Sequence, residues 1–433
     1  SASGASISNP GDRGFITGLD TTDKFPRLSD DALLDTLQRS TMNYFVDFGF
    51  PGNNMARERN ANLEVVTTGG TGFGIMAMLA GAERGFLTRT DARDRVKSIT
   101  DFLLNRCPRY HGAFAHWING GSGATIPFST NDNGGDLVET SYLMTGLLCA
   151  RQYFTGTDPV EQAIRTTVDT LWNQVEWNWY RQNAQNTLYW HWSIDKGWAM
   201  NMKIKGWNEA LITYVLAAAS PRDSIPASVY HEGWAGNGAI KNPSNFYGQT
   251  MPLGPSDGGP LFWSHYSFLG IDPHGLTDDY ADYWQQVSGH ALSNFAYAQA
   301  DPKGYYGYGA TCWGLTACDI PNGYQACSPN NDIGVIAPTA ALSSMPYAPE
   351  ASMSALRFMY YKLGDKIWNP RLGFQDSFRL DDPWYSGSYL AIDQGPVVIM
   401  VENHRSGLFW NLFMSCPEIK AGMRKLGFKS PRL

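Results

Sequence analysis

Three carboxylates stand close together between Asn131 and Glu139: Asp132, Asp136 and Glu139. Spacings of four and three place them near one face if a helix extends back to Asp132. Acids that converge on a cleft bind sugar hydroxyls or move protons. Helix capping explains part of the pattern without a ligand, because Asp136-Leu137-Val138-Glu139 has Asp at the N-cap and Glu at N3. Capping leaves Asp132 unexplained. A second acid, Glu209, lies in Lys205-Gly206-Trp207-Asn208-Glu209 and opens an apolar helix. The helix dipole favours an acid there. Yet Glu209 is the lone acid of that helix, beside Trp207, and an enclosed carboxyl next to an aromatic has the raised pKa that a general acid needs. The two effects oppose each other. A third acid, Asp393, sits between apolar runs just before Pro396, which sets a helix start. An N-cap role and a catalytic role both fit it.

Other motifs are weaker. Asn131-Asp132-Asn133-Gly134 lacks the spacing and terminal Glu of an EF-hand loop. Asp278-Asp279-Tyr280-Ala281-Asp282 matches the DDxxD pattern with which terpene synthases hold magnesium diphosphate, but here it begins an amphipathic helix and reads as a solvated helix start. His231-Glu232 lacks the second His of HExxH, and there is no GxSxG elbow, P-loop or GxGxxG fingerprint. The eight His are scattered and form no ligand set, so no metal and no cofactor is expected. His111 and His116, flanking Phe114 and Trp117, are candidate substrate contacts.

The elements that must position these acids are helical. Asp30–Phe45, Asp91–Leu104 (Thr90 as N-cap), Pro159–Trp172, Asp279–Tyr297 and Pro349–Leu363 have polar faces. Gly72–Ala82, Leu137–Ala150, Glu209–Ala219, Pro338–Met345 and Pro396–Val401 are apolar nearly all round. All-round apolar helices are buried, and striped ones face solvent. The alternation predicts an inner ring wrapped by an outer ring, about eleven or twelve helices in an (α/α)6 toroid. Leu188–Trp192 reads as a short strand, and no repeating βαβ pattern appears. Glycine and short polar residues gather at the starts of the buried helices: Gly69-Gly70-Thr71-Gly72, Asn133-Gly134-Gly135-Asp136, Gly206-Trp207-Asn208-Glu209 and Asp393-Gln394-Gly395-Pro396. In a toroid those ends converge on one rim, where free N–H groups favour anions and hydroxyls. The chemistry is expected there. Residues 1–27 read as a loose arm and residues 28–433 as a single domain.

Composition narrows the partners. Charged residues are 17% and aromatics 13% of 433 residues, which is the balance of a folded chain rather than a disordered one. Trp and Tyr stack on the apolar faces of sugar rings, although most such rings are core. The net charge is −7 and Lys and Arg do not cluster, so nucleic acid is excluded as a partner. The longest apolar runs fall far short of the roughly 20 residues that span a bilayer. Six cysteines show no CxxC pair. Cys312, Cys318 and Cys327 lie in a Gly-, Pro- and Asn-rich stretch that allows a local disulfide, whereas Cys107, Cys149 and Cys416 read as small buried hydrophobes. The polar start at Ser1, without Met, is the expectation for a secreted or periplasmic protein whose signal peptide has been removed.

The motifs in order resemble the bacterial glycoamylase-like family that contains the endo-β-1,2-glucanases and related β-1,2-glucan-active enzymes. The resemblance rests on Val66-Thr67-Thr68-Gly69-Gly70-Thr71-Gly72, Asp132 to Thr140, Tyr189-Trp190-His191-Trp192, Gly206-Trp207-Asn208-Glu209, Gly259-Pro260-Leu261-Phe262, Cys312 to Ala317, Ala391 to Pro396 and Glu402-Asn403-His404-Arg405-Ser406-Gly407. It runs from about residue 30 to the C-terminus. Cys318 and Cys327 depart from the family pattern, and the two could pair. The resemblance implies an all-α (α/α)6 fold and inverting hydrolysis of β-1,2-linked glucose chains, with β-glucan or an oligosaccharide as substrate. It implies Glu209 as general acid and Asp393 as general base, acting on water directly or through a substrate hydroxyl. It assigns Asp132, Asp136 and Glu139 to the cleft wall. Tyr189, Trp190, Trp192, Trp207 and Trp313 join His111, His116 and Trp117 as candidate substrate contacts. Inversion sets acid and base roughly 6.5–9.5 Å apart. Two other readings keep part of this picture: an α-glucan glucoamylase on the same fold, and a non-catalytic glycan-binding protein.

Overall fold

The structure is a computed structural model that describes residues 18–433; residues 1–17 of the expected arm lie outside the described residues. The described part of that arm, residues 18–27, is tied down. Lys24 N–H donates to the Tyr361 carbonyl at 2.7 Å, Lys362 pairs with Asp23, and the Phe25 ring lies under Gly364.

Twelve α-helices order the described residues. They are α1 (Asp30–Val46), α2 (Thr68–Glu83), α3 (Arg89–Asn105), α4 (Leu137–Tyr153), α5 (Pro159–Gln174) and α6 (Leu211–Ala219), followed by α7 (Tyr283–Ala300), α8 (Pro338–Leu342), α9 (Pro349–Ile367), α10 (Ala391–Ser406), α11 (Leu408–Ser415) and α12 (Pro417–Lys425). The even-numbered helices α2 to α10 are buried nearly all round, and the odd-numbered α1 to α9 keep an exposed face. Helices α8, α10, α2, α4 and α6 pack in that order. Two 3₁₀ turns, Leu261–Ser264 and Tyr266–Leu269, fill the sixth inner place, and the second touches both α6 and α10. A single π turn, Val229–Trp234, takes the matching outer place behind α6. The result is an (α/α)6 toroid in which one hairpin has lost its α-helices. Helices α11 and α12 pack on α4 and α6.

Three helix starts differ from the sequence expectation. Helix α3 is capped by Thr88, not Thr90, with the Thr88 hydroxyl accepting from Asp91 N–H. Helix α6 begins two residues after Glu209, because Asn208 turns back to accept from Ala210 N–H. Helix α10 begins five residues before Pro396, so Asp393 lies in its first turn and Leu390 is the N-cap. Proline so near a helix start removes only the one donor that the Ile392 carbonyl would have used.

Short strands carry the rim. Strands β1 (Arg57–Arg59), β2 (Asn62–Thr67), β3 (Trp117–Asn119) and β4 (Thr125–Ile126) form one antiparallel sheet, in which Thr67 pairs with Trp117. Strand β2 runs straight into α2, so this pairing holds His116 and Trp117 against the α2 N-terminus. Strand β5 (Gly135–Asp136) opens α4. The Leu188–Trp192 stretch splits into β6 (Leu188–Tyr189), which pairs with β8 (Lys203–Ile204), and β7 (His191–Trp192), which pairs with β5. That last pairing sets Asp136 opposite His191.

Helix α2 is a poor helix by composition, with Gly69, Gly70, Gly72, Gly74 and Gly81 in one segment. Each costs up to about 1 kcal/mol against Ala. Tertiary contact explains their presence. A Cβ on Gly72 would sit 2.3 Å from the Tyr142 carbonyl oxygen, and one on Gly146 would sit 2.1 Å from the Gly72 oxygen. Helices α2 and α4 therefore touch backbone to backbone. Gly146→Ala is expected to lower unfolding stability by about 1–3 kcal/mol by forcing the helices apart. Chemical denaturation checks this, and an unchanged midpoint would remove the close contact as the reason for Gly146.

Candidate active site

The acids meet on the rim where the inner helices begin. Asp136 is the N-cap of α4, and its Oδ1 accepts from the N–H groups of Val138 and Glu139, each at 2.9 Å. Its Oδ2 faces two imidazoles, His116 Nδ1 at 3.3 Å and His191 Nε2 at 3.6 Å. His191 Nε2 also reaches Asp132 Oδ2 at 3.2 Å. Glu139 turns to the neighbouring helix, where its Oε2 accepts from Gly69 N–H in the first turn of α2 at 2.7 Å. A Cβ on Gly69 would lie 2.6 Å from that oxygen, so only glycine allows the approach. His116 Nε2 lies 3.9 Å from Glu139 Oε1.

Charge balance follows from these contacts. Burial alone would push His116 and His191 down, but the surrounding carboxylates outweigh it and raise each to about 9. Both rings are imidazolium near neutral pH. Burial pushes Asp136 up, yet its bonds to the two histidines hold it below the usual carboxylate range. Glu139 is raised by burial, against the pull of His116.

Glu209 and Asp393 have no such partners. Glu209 sits in the turn before α6 and is half-buried. Burial outweighs a backbone donor at Glu209 itself, and with Asp136 and Glu139 nearby it raises Glu209 to about 7. Asp393 is 2% exposed, and its Oδ2 is sealed without a hydrogen-bond partner among the described residues. Burial and the adjacent Asp376 carboxyl push Asp393 well above the usual carboxylate range.

The candidate aromatic contacts divide. His116 and Trp117 lie at the acids and share a stack with Phe128, whose ring centroid is 4.4 Å from that of His116. His111 and Trp192 form a second group with Trp179, and His111 stacks on Trp179 at 3.8 Å. His111 Nδ1 also bonds Glu176 at 2.8 Å. Trp190 stands between the groups, half-buried and parallel to His191, and its carbonyl accepts from Leu137 N–H. Three candidates are core instead. Trp313 is fully buried, with its indole N–H bound to the Ala351 carbonyl. Trp207 is 4% exposed, wedged over Gly254 and against Phe268 and Tyr283. Tyr189 is buried and donates to Gln185. Bulk made these rings better packing material than ligand surface. Cys318 and Cys327 are free thiols in contact at one end of the Ala317–Ile320/Gly323–Ala326 hairpin.

A family model described as Glycoamylase matches residues 201–417, the half of the chain that holds Glu209 and Asp393. The chain belongs to the glycoamylase family. It is 43% identical over 421 residues to the exo β-1,2-glucooligosaccharide sophorohydrolase (non-reducing end) of Parabacteroides distasonis, covering 92% of this chain and 58% of that protein. The chain thus spans less than two thirds of that curated relative. It is similar to the endo-β-1,2-glucanase of Chitinophaga pinensis, solved with sophorotriose and glucose, at a TM-score of 0.92 and 51% identity over 94% of this chain and all of that one. The β-1,2-glucanase structure from Parabacteroides distasonis gives a TM-score of 0.91 at 43% identity over 93% of this chain and 60% of that one.

Sequence reading missed several members of the site. His191 is remote in sequence from the acids it neutralises, and only the pairing of β5 with β7 joins them. Phe128 and Trp179, 48% and 41% exposed, were indistinguishable from other aromatics. Tyr142 has a buried hydroxyl without a protein partner among the described residues and lies within electrostatic reach of Glu209, Glu139 and Asp136. Tyr266 lies within reach of both Glu209 and Asp393. The spacing of Tyr142 three residues after Glu139 was the one available signal.

The histidine pKa values set a pH dependence. Groups raised on folding contribute stability that is complete below their unfolded value, here 6.5, and lost as pH rises through about 9. Thermal unfolding temperature is expected to fall across that window by an amount equivalent to roughly 1 kcal/mol or more per histidine. The double substitution His116→Gln and His191→Gln should flatten the fall and destabilise the protein at pH 6. A slope that survives the double substitution contradicts the pairing.

Proposed function

We propose that this chain is a glycoside hydrolase that cleaves β-1,2-linked glucose chains with inversion at the anomeric carbon. The observation on which the reading rests is that Glu209, at the cleft, has no cation and a pKa raised to about 7 by burial. Such a carboxyl holds its proton up to about neutral pH. It delivers that proton to the glycosidic oxygen as the C1–O bond breaks. Asp393 takes the proton of the water that attacks C1 from the opposite face. Asp132, Asp136 and Glu139, placed by His191, His116 and the first turn of α2, grip sugar hydroxyls. The two aromatic groups offer stacking faces along the cleft. The names of the relatives at 43% and 51% identity support the β-1,2 linkage. No cofactor takes part. Among the described residues no helix is long and apolar enough to cross a membrane, and we place the enzyme in the periplasm or outside the cell, where a polymeric glucan is met.

Glu209→Gln is expected to cut the release of reducing ends from linear β-1,2-glucan by at least about 10³-fold while oligosaccharide binding persists. Asp393→Asn is expected to act alike. Early products followed by NMR should be the α anomer. Turnover of starch in place of β-1,2-glucan would transfer the site to an α-glucan glucoamylase, and tight binding with no new reducing ends would make it a binding protein.

A further inference from the structure

A second buried acid stands behind Asp393, and neither the family motifs nor the acid/base pair uses it. Asp376 lies between the short strands Gly373–Phe374 and Phe378–Arg379, 2% exposed. Its Oδ2 accepts from the Asp319 backbone N–H at 2.6 Å. Its Oδ1 has no donor among the described residues, and neither has Oδ2 of Asp393. Both acids line the same small cavity between α1, α8 and α10, which brings the two orphaned oxygens to one place. Two carboxylates that face each other in a buried site share a proton, because both cannot ionise there.

We propose that Asp376 and Asp393 form a carboxyl pair that shares one proton, and that Asp376 is a positioning residue which fixes the orientation and proton affinity of the general base. The proposal rests on the reading of Asp393 as that base. Asp376 Oδ2 is already an acceptor, so the shared proton lies between Asp376 Oδ1 and Asp393 Oδ2, the two oxygens without another donor. The pair keeps one negative charge, and the other oxygen of Asp393 is left for the attacking water. When Asp393 takes the proton of that water, the pair becomes neutral, which burial favours. The extra proton then returns to solvent.

The surroundings suit a pair that titrates as a unit. Arg59 on β1 is within electrostatic reach of the pair, and it is engaged by Glu58 at 2.8 Å and Asp319 at 3.2 Å. Tyr44 on α1, Tyr266 on the 3₁₀ turn, and Tyr324 and Cys318 on the hairpin are all raised above their ordinary values, chiefly by burial for the phenols and by the bond to Cys327 for Cys318. They stay neutral while a carboxyl titrates. Cys327 is lowered by its bond to Cys318 and is the other thiol near the pair.

The test is the pH profile of kcat/KM on linear β-1,2-glucan for the wild-type chain, Asp376→Asn and Asp376→Leu. An Asn amide donates to Asp393 as the shared proton does but carries no competing charge. The Asp376→Asn acid limb should move down by about one pH unit or more, with turnover at its own optimum far above that of Asp376→Leu. Asp376→Leu should lose at least about 10²-fold. An acid limb that stays in place in Asp376→Asn overturns the pair. Carbon-13 titration of labelled aspartates reads the pair without turnover: one carboxyl should titrate above the ordinary aspartate range, and Asp376→Asn or Asp393→Asn should lower the titration of the partner that remains. A remaining titration that does not move in either variant also overturns the pair. An Asp393→Asn protein that still cleaves glucan removes the base reading instead, whatever the aspartate titration shows.

Discussion

A carboxylate taken out of water must find a cation, a set of donors or a proton. This rim buries more acids than it has cations to match, and the rest of the site follows from how each acid meets that demand. Asp132 and Asp136 meet it with His191 and His116, and Asp136 adds two backbone donors as a helix cap. Glu139 uses the first turn of α2. Glu209 and the Asp376–Asp393 pair find neither and keep protons. Acids of the first kind are held in place by their donors, and in the proposed reaction they hold hydroxyls. Those of the second kind are raised by burial and are suited to exchange protons, as acid and base catalysis requires.

The toroid makes that sorting possible by bringing helix starts to one rim. The backbone contact of α2 with α4 is the tightest part of it, and it sets the distance from Gly69 to Glu139. The glycines of α2 weaken the helix locally and strengthen the ring. The 3₁₀ turns that replace one inner helix have a use as well. They bring Ser267 to α6, where its hydroxyl binds Ile212 N–H and the Glu209 carbonyl, and they set Tyr266 within reach of both Glu209 and Asp393.

Much of this was legible in the sequence. Alternating buried and striped helices predicted the two rings, and the Gly-rich starts of the buried helices predicted the rim. The Asp136 cap was readable because capping is local. Glu209 was readable as a candidate, but the contest between dipole and burial was not, since it turns on how deeply the folded ring encloses the carboxyl and on Asp136 and Glu139 far back along the chain. The start of α10 was misplaced because Pro396 reads as a boundary while packing extends the helix past it. Trp313, Trp207 and Tyr189 were candidate contacts because sequence cannot separate a stacking ring from a core ring. Asp376 left no mark at all: it belongs to no motif, and its partner is defined only by the folded strand crossing behind α10.

The central claim concerns where protons sit, and neutron diffraction from deuterium-exchanged crystals near pH 6 reads that directly. The account predicts deuterons on both ring nitrogens of His116 and His191, none on Asp136, one on Glu209 and one between Asp376 and Asp393. Neutral histidines beside a protonated Asp136, or an ionised Glu209, would contradict it.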